Sequence, residues 1–290
     1  MTFGFAPIFV RFTPETEPLV LAAMRTGFAV LMLLPFWYPN RTKMKDLAGQ
    51  GTKSYMLIAA GVSLGLHFTL WVASLKYTSV ASASILVTMH PVMLILAESL
   101  ISKKNFRPLV WIGVFVAFGG SVLLGLADET QIDQFPQALL GNFLAFGSAA
   151  IFVIYFMLGR TIRQTAEWID YVFYVYLYAA LTCIILTLIW FGSIPTITST
   201  ALLVGIALAA GPTVLGHGSM NYAVKYISPT LLSTLVLAEP AVAAILAVFI
   251  FGEIPSFLSL TAMLIIVIGV SLTWSKRISN RRNVNKPDRI

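Results

Sequence analysis

Two ionisable residues stand directly before a proline inside long apolar stretches, as Glu239-Pro240 and His90-Pro91. Proline has no N–H for the carbonyl four residues earlier, so each proline frees a carbonyl, which is that of Val87 in the second case. A carboxylate or an imidazole beside such a break can bind a substrate amine or exchange a proton. The alternatives are a protonated Glu239 that joins two helices and a neutral core histidine at position 90.

Arg25 lies about seven residues inside another apolar stretch, which is roughly 10 Å of helix. A guanidinium at that depth could hold a substrate carboxylate through two hydrogen bonds. It could equally extend outward and pair with Glu15 or Glu17. The sequence leaves both readings open.

Aromatic and amide side chains supply further candidates for substrate contacts. Tyr178 is the deepest of three tyrosines that share one helix face at i, i+3 and i+7 spacing. Trp71 and Asn221 are added, although interfacial anchoring, packing and interhelical hydrogen bonds explain such residues equally well. His67 and His217 occupy roughly mirrored places, and for them we favour packing with one hydrogen bond. Gly211 and Pro212 predict a kink or hinge, as do Pro91 and Pro240.

Enzyme chemistry finds little support in the chain. It has no HExxH zinc motif, no GxSG nucleophile turn and no paired intramembrane aspartates. The single cysteine, Cys183, offers no metal-ligand cluster. We predict no cofactor and no metal, and we keep a membrane-embedded enzyme acting on lipid or peptide only as the alternative function.

The elements that must position these residues are membrane helices, because 58% of the 290 residues are hydrophobic and only 11% are charged. The net charge of +7 comes from basic residues in short breaks and in the tail, a pattern of membrane topology, so no nucleic-acid partner is expected. Apolar runs predict nine full spans near 18–37, 55–75, 81–101, 108–126, 138–158, 170–191, 200–222, 229–251 and 257–274.

A tenth apolar run, 3–12, reaches only about half of a 30 Å hydrocarbon core. Its counterpart later in the chain, 138–158, is about twice as long. We therefore expect that helix 1 is N-terminally truncated, either naturally or because the start codon is misplaced.

The chain repeats itself at an offset of 149 residues. Lys76-Tyr77 aligns with Lys225-Tyr226, Pro91 with Pro240, and Gly120 with Gly269. Five spans per copy is an odd number, so the second copy should insert upside down relative to the first. The predicted fold is an all-α integral membrane bundle of ten helices, divided into a first repeat (1–126), a second repeat (138–274) and a basic tail (275–290). Most basic residues lie in alternate breaks and in the tail, which predicts a cytoplasmic C-terminus.

The residues also carry a resemblance, through Leu21-Ala22-Ala23-Met24-Arg25, Leu75-Lys76-Tyr77-Thr78-Ser79 leading to Pro91, Glu239-Pro240, and Phe251-Gly252-Glu253. In this order and spacing the chain resembles the EamA-type transporters of the drug/metabolite transporter superfamily. The resemblance implies two inverted five-helix repeats, a central cavity and alternating access. It also implies a bacterial inner-membrane carrier, commonly an exporter of amino acids or related metabolites, while wider relatives carry nucleotide sugars or drug-like cations. The chain departs from repeat symmetry where His90 stands opposite Glu239, and Lys103-Lys104 opposite Gly252-Glu253.

The sequence therefore favours a permease for small metabolites. Its midplane site would hold a carboxylate at Arg25 and an amine at Glu239, with Glu239 or His90 as the proton-exchanging group. Passive uniport fits the sequence equally well. Substrate identity, direction of transport and oligomeric state are not encoded in these patterns.

Overall fold

This computed structural model describes residues 2–41, 54–101, 105–129, 135–227 and 239–272, together with Leu232 and Val236. All regular secondary structure in these residues is helical. In chain order the elements are a 3-10 turn at Thr2–Phe5, α1 (Ala6–Arg11), α2 (Pro18–Trp37), a 3-10 turn at Tyr38–Asn40, α3 (Ser54–Tyr77), α4 (Val80–Val87), α5 (His90–Ile101), α6 (Pro108–Glu129), α7 (Ala138–Ile162), α8 (Trp168–Phe191), α9 (Ser199–Leu208), a π-helix (Ala209–His217), α10 (Gly218–Ala223), α11 (Glu239–Phe251) and α12 (Phe257–Leu272).

Six helices of the described chain are long and apolar enough to cross a membrane: Pro18–Trp37, Ser54–Tyr77, Val80–Ile101, Ala138–Ile162, Trp168–Phe191 and Ser199–Ala223. Shorter apolar helices cover Pro108–Leu124 and Phe257–Leu272. The predicted span 229–251 falls partly outside the described residues, as do the predicted tail 275–290 and the pair Lys103-Lys104. The chain is thus a multi-pass membrane protein, and its described residues form ten helical segments when α4 is joined to α5, and when α9, the π-helix and α10 are counted as one.

Helix ends follow the local sequence. Pro18 occupies the first position of α2, where its missing N–H costs no helical hydrogen bond. Ser79 caps α4, because its side-chain oxygen accepts a hydrogen bond from the Ser82 N–H at 3.0 Å. Gly192 ends α8 in a left-handed conformation with φ of 70°, which glycine adopts without strain.

Two prolines interrupt spans, and a side chain satisfies the freed carbonyl at each. At Pro91, the Val87 carbonyl lies 2.9 Å from His90 Nδ1, so this carbonyl is bonded within the protein rather than left for a substrate. At Pro212, the chain forms the π-helix, and the Thr213 hydroxyl donates to the Leu208 carbonyl at 2.9 Å. These local breaks place His90 and Thr213 at membrane depth without orphaned carbonyls.

Small residues allow the closest helix contacts. A methyl group at Gly61 would meet Tyr178 Cβ at 2.3 Å, which shows how closely α3 packs on α8. The same test at Gly120 meets Ile266 at 2.8 Å, and at Gly269 it meets the Ala117 backbone nitrogen at 2.4 Å.

Helix α3 runs antiparallel to α7. A methyl group at Gly141, near the start of α7, would meet Thr78 just past the end of α3, while His67 in the middle of α3 contacts Ser148. The segment Val80–Ile101 is the most enclosed, with 89% of its apolar window buried against 44–50% in the other five spans. The fourth span therefore forms the centre of the bundle.

Candidate functional site

A small cavity lies at the centre of the bundle. About 40 Å³ of it is open to the centre of a water molecule, which is room for a few waters. Its lining comes from seven helical segments of the chain: Phe3, Ala6, Arg25, His67, Trp71, Val87, Thr88, His90, Phe152, His217, Met220, Val236 and Glu239.

Arg25 points into this cavity and is only 2% exposed. Its Nε donates to Thr213 Oγ1 at 2.6 Å, and its Cζ lies 3.7 Å from the centre of the Phe68 ring. The outward alternative, pairing with Glu15 or Glu17, is wrong, because Glu17 lies 3.6 Å from Lys76 and Arg25 points inward. Within the described residues, Nε is the only guanidinium nitrogen of Arg25 that makes a hydrogen bond. The two terminal nitrogens of Arg25 therefore remain available for a bidentate ligand.

The π-helix positions the partner of Arg25. Thr213 is fully buried, its hydroxyl donates to the Leu208 carbonyl, and its oxygen accepts from Arg25. Tyr176 of α8 donates to the Thr213 carbonyl at 3.0 Å. The proline break thus fixes Thr213 between α2 and α8, and Thr213 in turn fixes the guanidinium.

Glu239 is the first residue of α11 and lines the same cavity. The start of a helix is a favourable place for a carboxylate, because unpaired backbone N–H groups lie there. The Glu239 carbonyl oxygen also lies close to Gly4, so the beginning of α11 packs against the first segment of the chain. An arginine and a glutamate side chain therefore line one small cavity.

All three histidines of the chain reach this cavity. The Phe152 ring stands among them, with ring centres 4.7 Å from His90, 5.1 Å from His67 and 5.9 Å from His217. His67 Nδ1 lies 2.8 Å from Ser148 Oγ, which itself donates to the His67 carbonyl. His67 Nδ1 also lies 3.0 Å from the Ser148 carbonyl oxygen, which can only accept a hydrogen bond, so Nδ1 carries the proton.

His217 differs from His67 in having an unsatisfied nitrogen. Its Nδ1 is buried and makes no hydrogen bond within the described residues. Phe3 packs edge-on against its ring at 4.9 Å. Buried polar atoms are normally satisfied, so a water molecule or a substrate group is the expected partner.

Two sequence candidates fall outside the cavity lining. Tyr178 packs where α3 meets α8, against Gly61, because the close approach of these helices directs its side chain there. Asn221 is buried below the cavity, where its Oδ1 accepts from Tyr155 at 2.6 Å and its carbonyl accepts from Arg163 Nε at 3.0 Å. Burial lowers the pKa of the Arg163 guanidinium, which lies between the spans α7 and α8. Asn221 is therefore part of an interhelical network.

The structure brings together Arg25, Trp71, His90 and Glu239, which lie on four different spans. Of the hinge candidates, Gly211 and Pro212 lie in the π-helix, Pro91 is the second residue of α5, and Pro240 is the second residue of α11.

Sequence reasoning missed Phe152, Phe3 and Thr88. A phenylalanine in an apolar span carries no signal that separates a cavity wall from a lipid contact. The sequence did carry a signal for His67 and His217, because the two histidines occupy roughly mirrored places in the chain. No group of three or more His, Cys, Asp or Glu side chains in the described part of the chain is arranged to hold a metal ion.

A multi-pass helical bundle whose broken spans surround a charged central cavity is the architecture of a membrane transporter. The family model described as "EamA-like transporter family" matches residues 1–126 and 139–275. The chain belongs to this family, within the drug/metabolite transporter superfamily, so it is a membrane transporter and not an enzyme. The resemblance stated from the sequence is confirmed.

Similar proteins have names that assign no substrate. An "Uncharacterized transporter" of Archaeoglobus fulgidus is 24% identical over 91% of this chain and 90% of its own length. The "Uncharacterized transporter YdfC" of Bacillus subtilis is 26% identical over 96% of this chain and 85% of its own. A solved crystal structure superposes with a TM-score of 0.68 over 97% of this chain and 95% of that chain, at 19% identity, which is a likeness of fold alone.

Proposed function

We propose that this transporter carries small zwitterionic metabolites, amino acids or close relatives, by alternating access across the cytoplasmic membrane of a bacterium. One observation carries the proposal: Arg25 and Glu239 line the same enclosed cavity. A substrate with one carboxylate and one ammonium group matches these two side chains. Its carboxylate would bind the terminal nitrogens of Arg25, and its amine would bind Glu239.

The energetics of burial favour a charged substrate. An arginine inside a membrane is costly, on the order of 2.5 to 3.5 kcal/mol on insertion scales, and such residues mark substrate pathways. The ring faces of Phe68 and Trp71 stabilise Arg25 through cation–π contacts at 3.7 and 5.6 Å. They do not neutralise its charge, and Glu239 lines the same cavity, so a zwitterion that places its carboxylate at Arg25 and its amine at Glu239 matches both side chains.

The size of the cavity supports alternating access. Ligand pockets usually hold about 300–1,000 Å³, whereas this cavity has about 40 Å³ open to the centre of a water molecule. A bound amino acid therefore requires the walls to separate, and a substrate would enter after one half of the protein moves relative to the other.

Repeated contacts support two inverted repeats, 1–126 and 138–274. Gly120 packs on Ile266 and Gly269 packs on Ala117, and each pair follows from the other by the 149-residue offset. By the same offset, the π-helix corresponds to part of α3, the 3-10 turn at Thr2–Phe5 to part of α7, and α2 to α8. Helix α3 contacts α7 and α8, and the π-helix contacts the 3-10 turn and α2. Exchange of the two halves thus reproduces the contact pattern. The distribution of basic residues supports a cytoplasmic C-terminus.

Glu239 and His90 are the proposed proton-exchanging residues, because both line the cavity and both side chains can carry a proton. Competition between a proton and a substrate amine at Glu239 would couple export to proton entry. A passive uniporter would bind substrate in the same way and show no response to a pH gradient.

Uptake into proteoliposomes tests the proposal. Labelled neutral amino acids, simple amines and simple carboxylates would be offered to the wild type and to Glu239→Gln, with and without an imposed pH gradient. We expect saturable flux of zwitterions that Glu239→Gln abolishes, and acceleration by the gradient if protons are coupled. Thr161→Val is the matched control, because Thr161 is exposed and its hydroxyl bonds only within its own helix. Absence of flux for every zwitterion, from protein that elutes as a folded species, would contradict the proposal.

A further inference from the structure

Two arginines 149 residues apart, Arg11 and Arg160, each form an ion pair with an acid from the other half of the chain. Arg11 is the last residue of α1, and Arg160 lies in the last turn of α7, so they end the first helix of their respective repeats. Their partners are Glu253, two residues beyond α11, and Glu98, near the end of α5. Each pair therefore joins the end of a first helix to the end of the opposite fourth helix.

The Arg11 pair belongs to a connected set of polar contacts. Arg11 Nη2 lies 3.1 Å from Glu253 Oε1 and donates to the Thr78 carbonyl at 2.7 Å. The other carboxylate oxygen of Glu253 accepts from the Val80 N–H at 2.8 Å, at the start of α4. Both side chains are mostly buried, at 19% and 12% exposure. A depression of about 200 Å³ open to the centre of a water molecule, lined by Arg11 and Lys76 among others, adjoins this set.

The Arg160 pair is longer and more exposed. Arg160 Nη1 lies 3.6 Å from Glu98 Oε1, with Arg160 43% exposed and Glu98 11% exposed. Charge pairs of this length in contact with water contribute less than short, buried ones.

The two ion pairs lie at opposite ends of the bundle, with the cavity between them. Thr78, which Arg11 contacts, donates to Asn142 near the beginning of α7 at 2.9 Å. Arg160 lies eighteen residues further along the same helix, which at about 1.5 Å per residue is roughly 27 Å. Phe152 of the cavity falls between them, ten residues from Asn142 and eight from Arg160. The separation is close to the thickness of the hydrocarbon core, about 30 Å.

We propose that Arg11–Glu253 and Arg160–Glu98 are the two gates of the transport cycle, one at each face of the membrane. This inference rests on the inverted repeats and the alternating access of the proposed function. Opening toward one face separates one pair while the other pair holds the opposite ends together. Both ion pairs are formed in this structure.

The two gates differ in chemistry because the 149-residue offset relates the two arginines to each other but not the two glutamates. The residue 149 positions before Glu253 is Lys104, and the residue 149 positions after Glu98 is Ala247. Arg11 is 19% exposed and Arg160 is 43% exposed, so water screens the Arg160 pair more strongly than the Arg11 pair. At rest the transporter therefore opens more often at the Arg160 end, which the basic residues place in the cytoplasm.

The test measures access to the cavity from each side. A cysteine introduced by Thr88→Cys in a Cys183→Ser background lines the cavity, and a membrane-impermeant thiol reagent reports its exposure in intact cells and in inside-out vesicles. We expect Arg11→Gln to raise labelling in intact cells, and Arg160→Gln to raise it in inside-out vesicles, each by roughly fivefold. The parent should label faster in inside-out vesicles than in cells.

Lys76→Gln is the matched control, because it removes the Lys76–Glu17 ion pair at the Arg11 end without touching a gate. If Arg11→Gln does not fold, Glu253→Gln removes the charge of the same pair while its amide oxygen can still accept from the Val80 N–H, and it should raise labelling in intact cells in the same way. Equal labelling from both sides in every gate variant, or an equal effect of Lys76→Gln, would overturn the inference. Labelling reports access rather than flux, so side-specific labelling without amino-acid uptake would leave the gates standing and remove only the proposed substrate.

Discussion

Arg25 and Thr213 join the second helix to the π-helix through a hydrogen bond of 2.6 Å between Nε and Oγ1. The contact exists because Pro212 lacks an N–H, the helix widens there, and the Thr213 hydroxyl turns back to the Leu208 carbonyl. A backbone irregularity in one half of the chain thereby orients the cation in the other half. Movement of the π-helix would carry the guanidinium with it.

Thr213→Val should weaken substrate binding, and it should also lower the Tm, because the Thr213 hydroxyl donates to the Leu208 carbonyl. Valine keeps the volume but removes the acceptor for Arg25, and a hydrogen bond to a charged group is worth about 1.5–3 kcal/mol. We expect KM for the transported zwitterion to rise by about tenfold or more, measured as concentration-dependent uptake. Thr26→Val is the control, because Thr26 is buried in the same helix as Arg25 but bonds only to the Ala22 and Ala23 carbonyls. An unchanged KM in Thr213→Val would show that Thr213 does not orient the arginine.

Substitutions at Trp71 and Tyr178 should distinguish a residue that lines the cavity from a residue that packs between helices. Trp71 lines the cavity and its ring lies 5.6 Å from Arg25 Cζ, whereas Tyr178 lies at the contact between α3 and α8. Trp71→Leu should therefore raise KM severalfold, because cation–π contacts contribute about 0.5–2 kcal/mol. Tyr178→Phe should leave KM at the wild-type value in the same uptake assay. A raised KM in Tyr178→Phe together with an unchanged KM in Trp71→Leu would place the substrate at the contact between α3 and α8.

The contact between α6 and α12 should tolerate no side chain at Gly269. A methyl group there would lie 2.4 Å from the Ala117 nitrogen and 2.8 Å from the Gly113 carbonyl, so two backbones would have to separate. Overpacking typically costs about 1–3 kcal/mol, and we expect Gly269→Ala to lower the Tm by several degrees in detergent. Gly119→Ala is the control, because nothing lies within 4 Å of a methyl group there. Equal Tm values for the two variants would contradict this packing.

Ser148→Ala should destabilise the α3–α7 contact more than it disturbs binding. Ser148 is fully buried, lies 2.8 Å from His67 Nδ1 and donates to the His67 carbonyl at 3.0 Å. Loss of a buried partner costs about 1–3 kcal/mol, so the Tm should fall. Ser271→Ala, at an exposed serine bonded to its own helix, should leave the Tm unchanged. If both variants melt like the wild type, the Ser148 hydroxyl does not hold His67, and the contact with the Ser148 carbonyl at 3.0 Å suffices.

Much of the fold could be predicted, because a membrane span is recognised from a run of consecutive apolar residues. The predicted span 18–37 agrees with the helix Pro18–Trp37, and the break at His90-Pro91 divides α4 from α5, since apolar length and proline chemistry act locally. The inward position of Arg25 was one of two open readings. Burial decided between them, since Phe68 and Thr213 supply the contacts that lipid cannot.

The rest of the site depends on how helices rotate against each other, which local patterns do not specify. Tyr178 was expected to line the site because it is deep in its span, but the close approach allowed by Gly61 takes its side chain to the α3–α8 contact. Phe152 was not recognised, because a single phenylalanine looks the same whether it faces lipid or three histidines. The contact of Glu98 with Arg160 carries no local signal either, since Arg160 is 62 positions away in the chain.

The most direct test of the proposed site is competition by analogues that each lack one charge. The transported amino acid, its amide without the carboxylate, and its deaminated acid would compete with labelled substrate in the wild type, Arg25→Gln and Glu239→Gln. We predict that the wild type prefers the zwitterion over both analogues. Arg25→Gln should lose only the preference over the amide, and Glu239→Gln only the preference over the deaminated acid. Parallel loss of both preferences in each variant, or a wild type that does not distinguish the three compounds, would contradict a zwitterion held between Arg25 and Glu239.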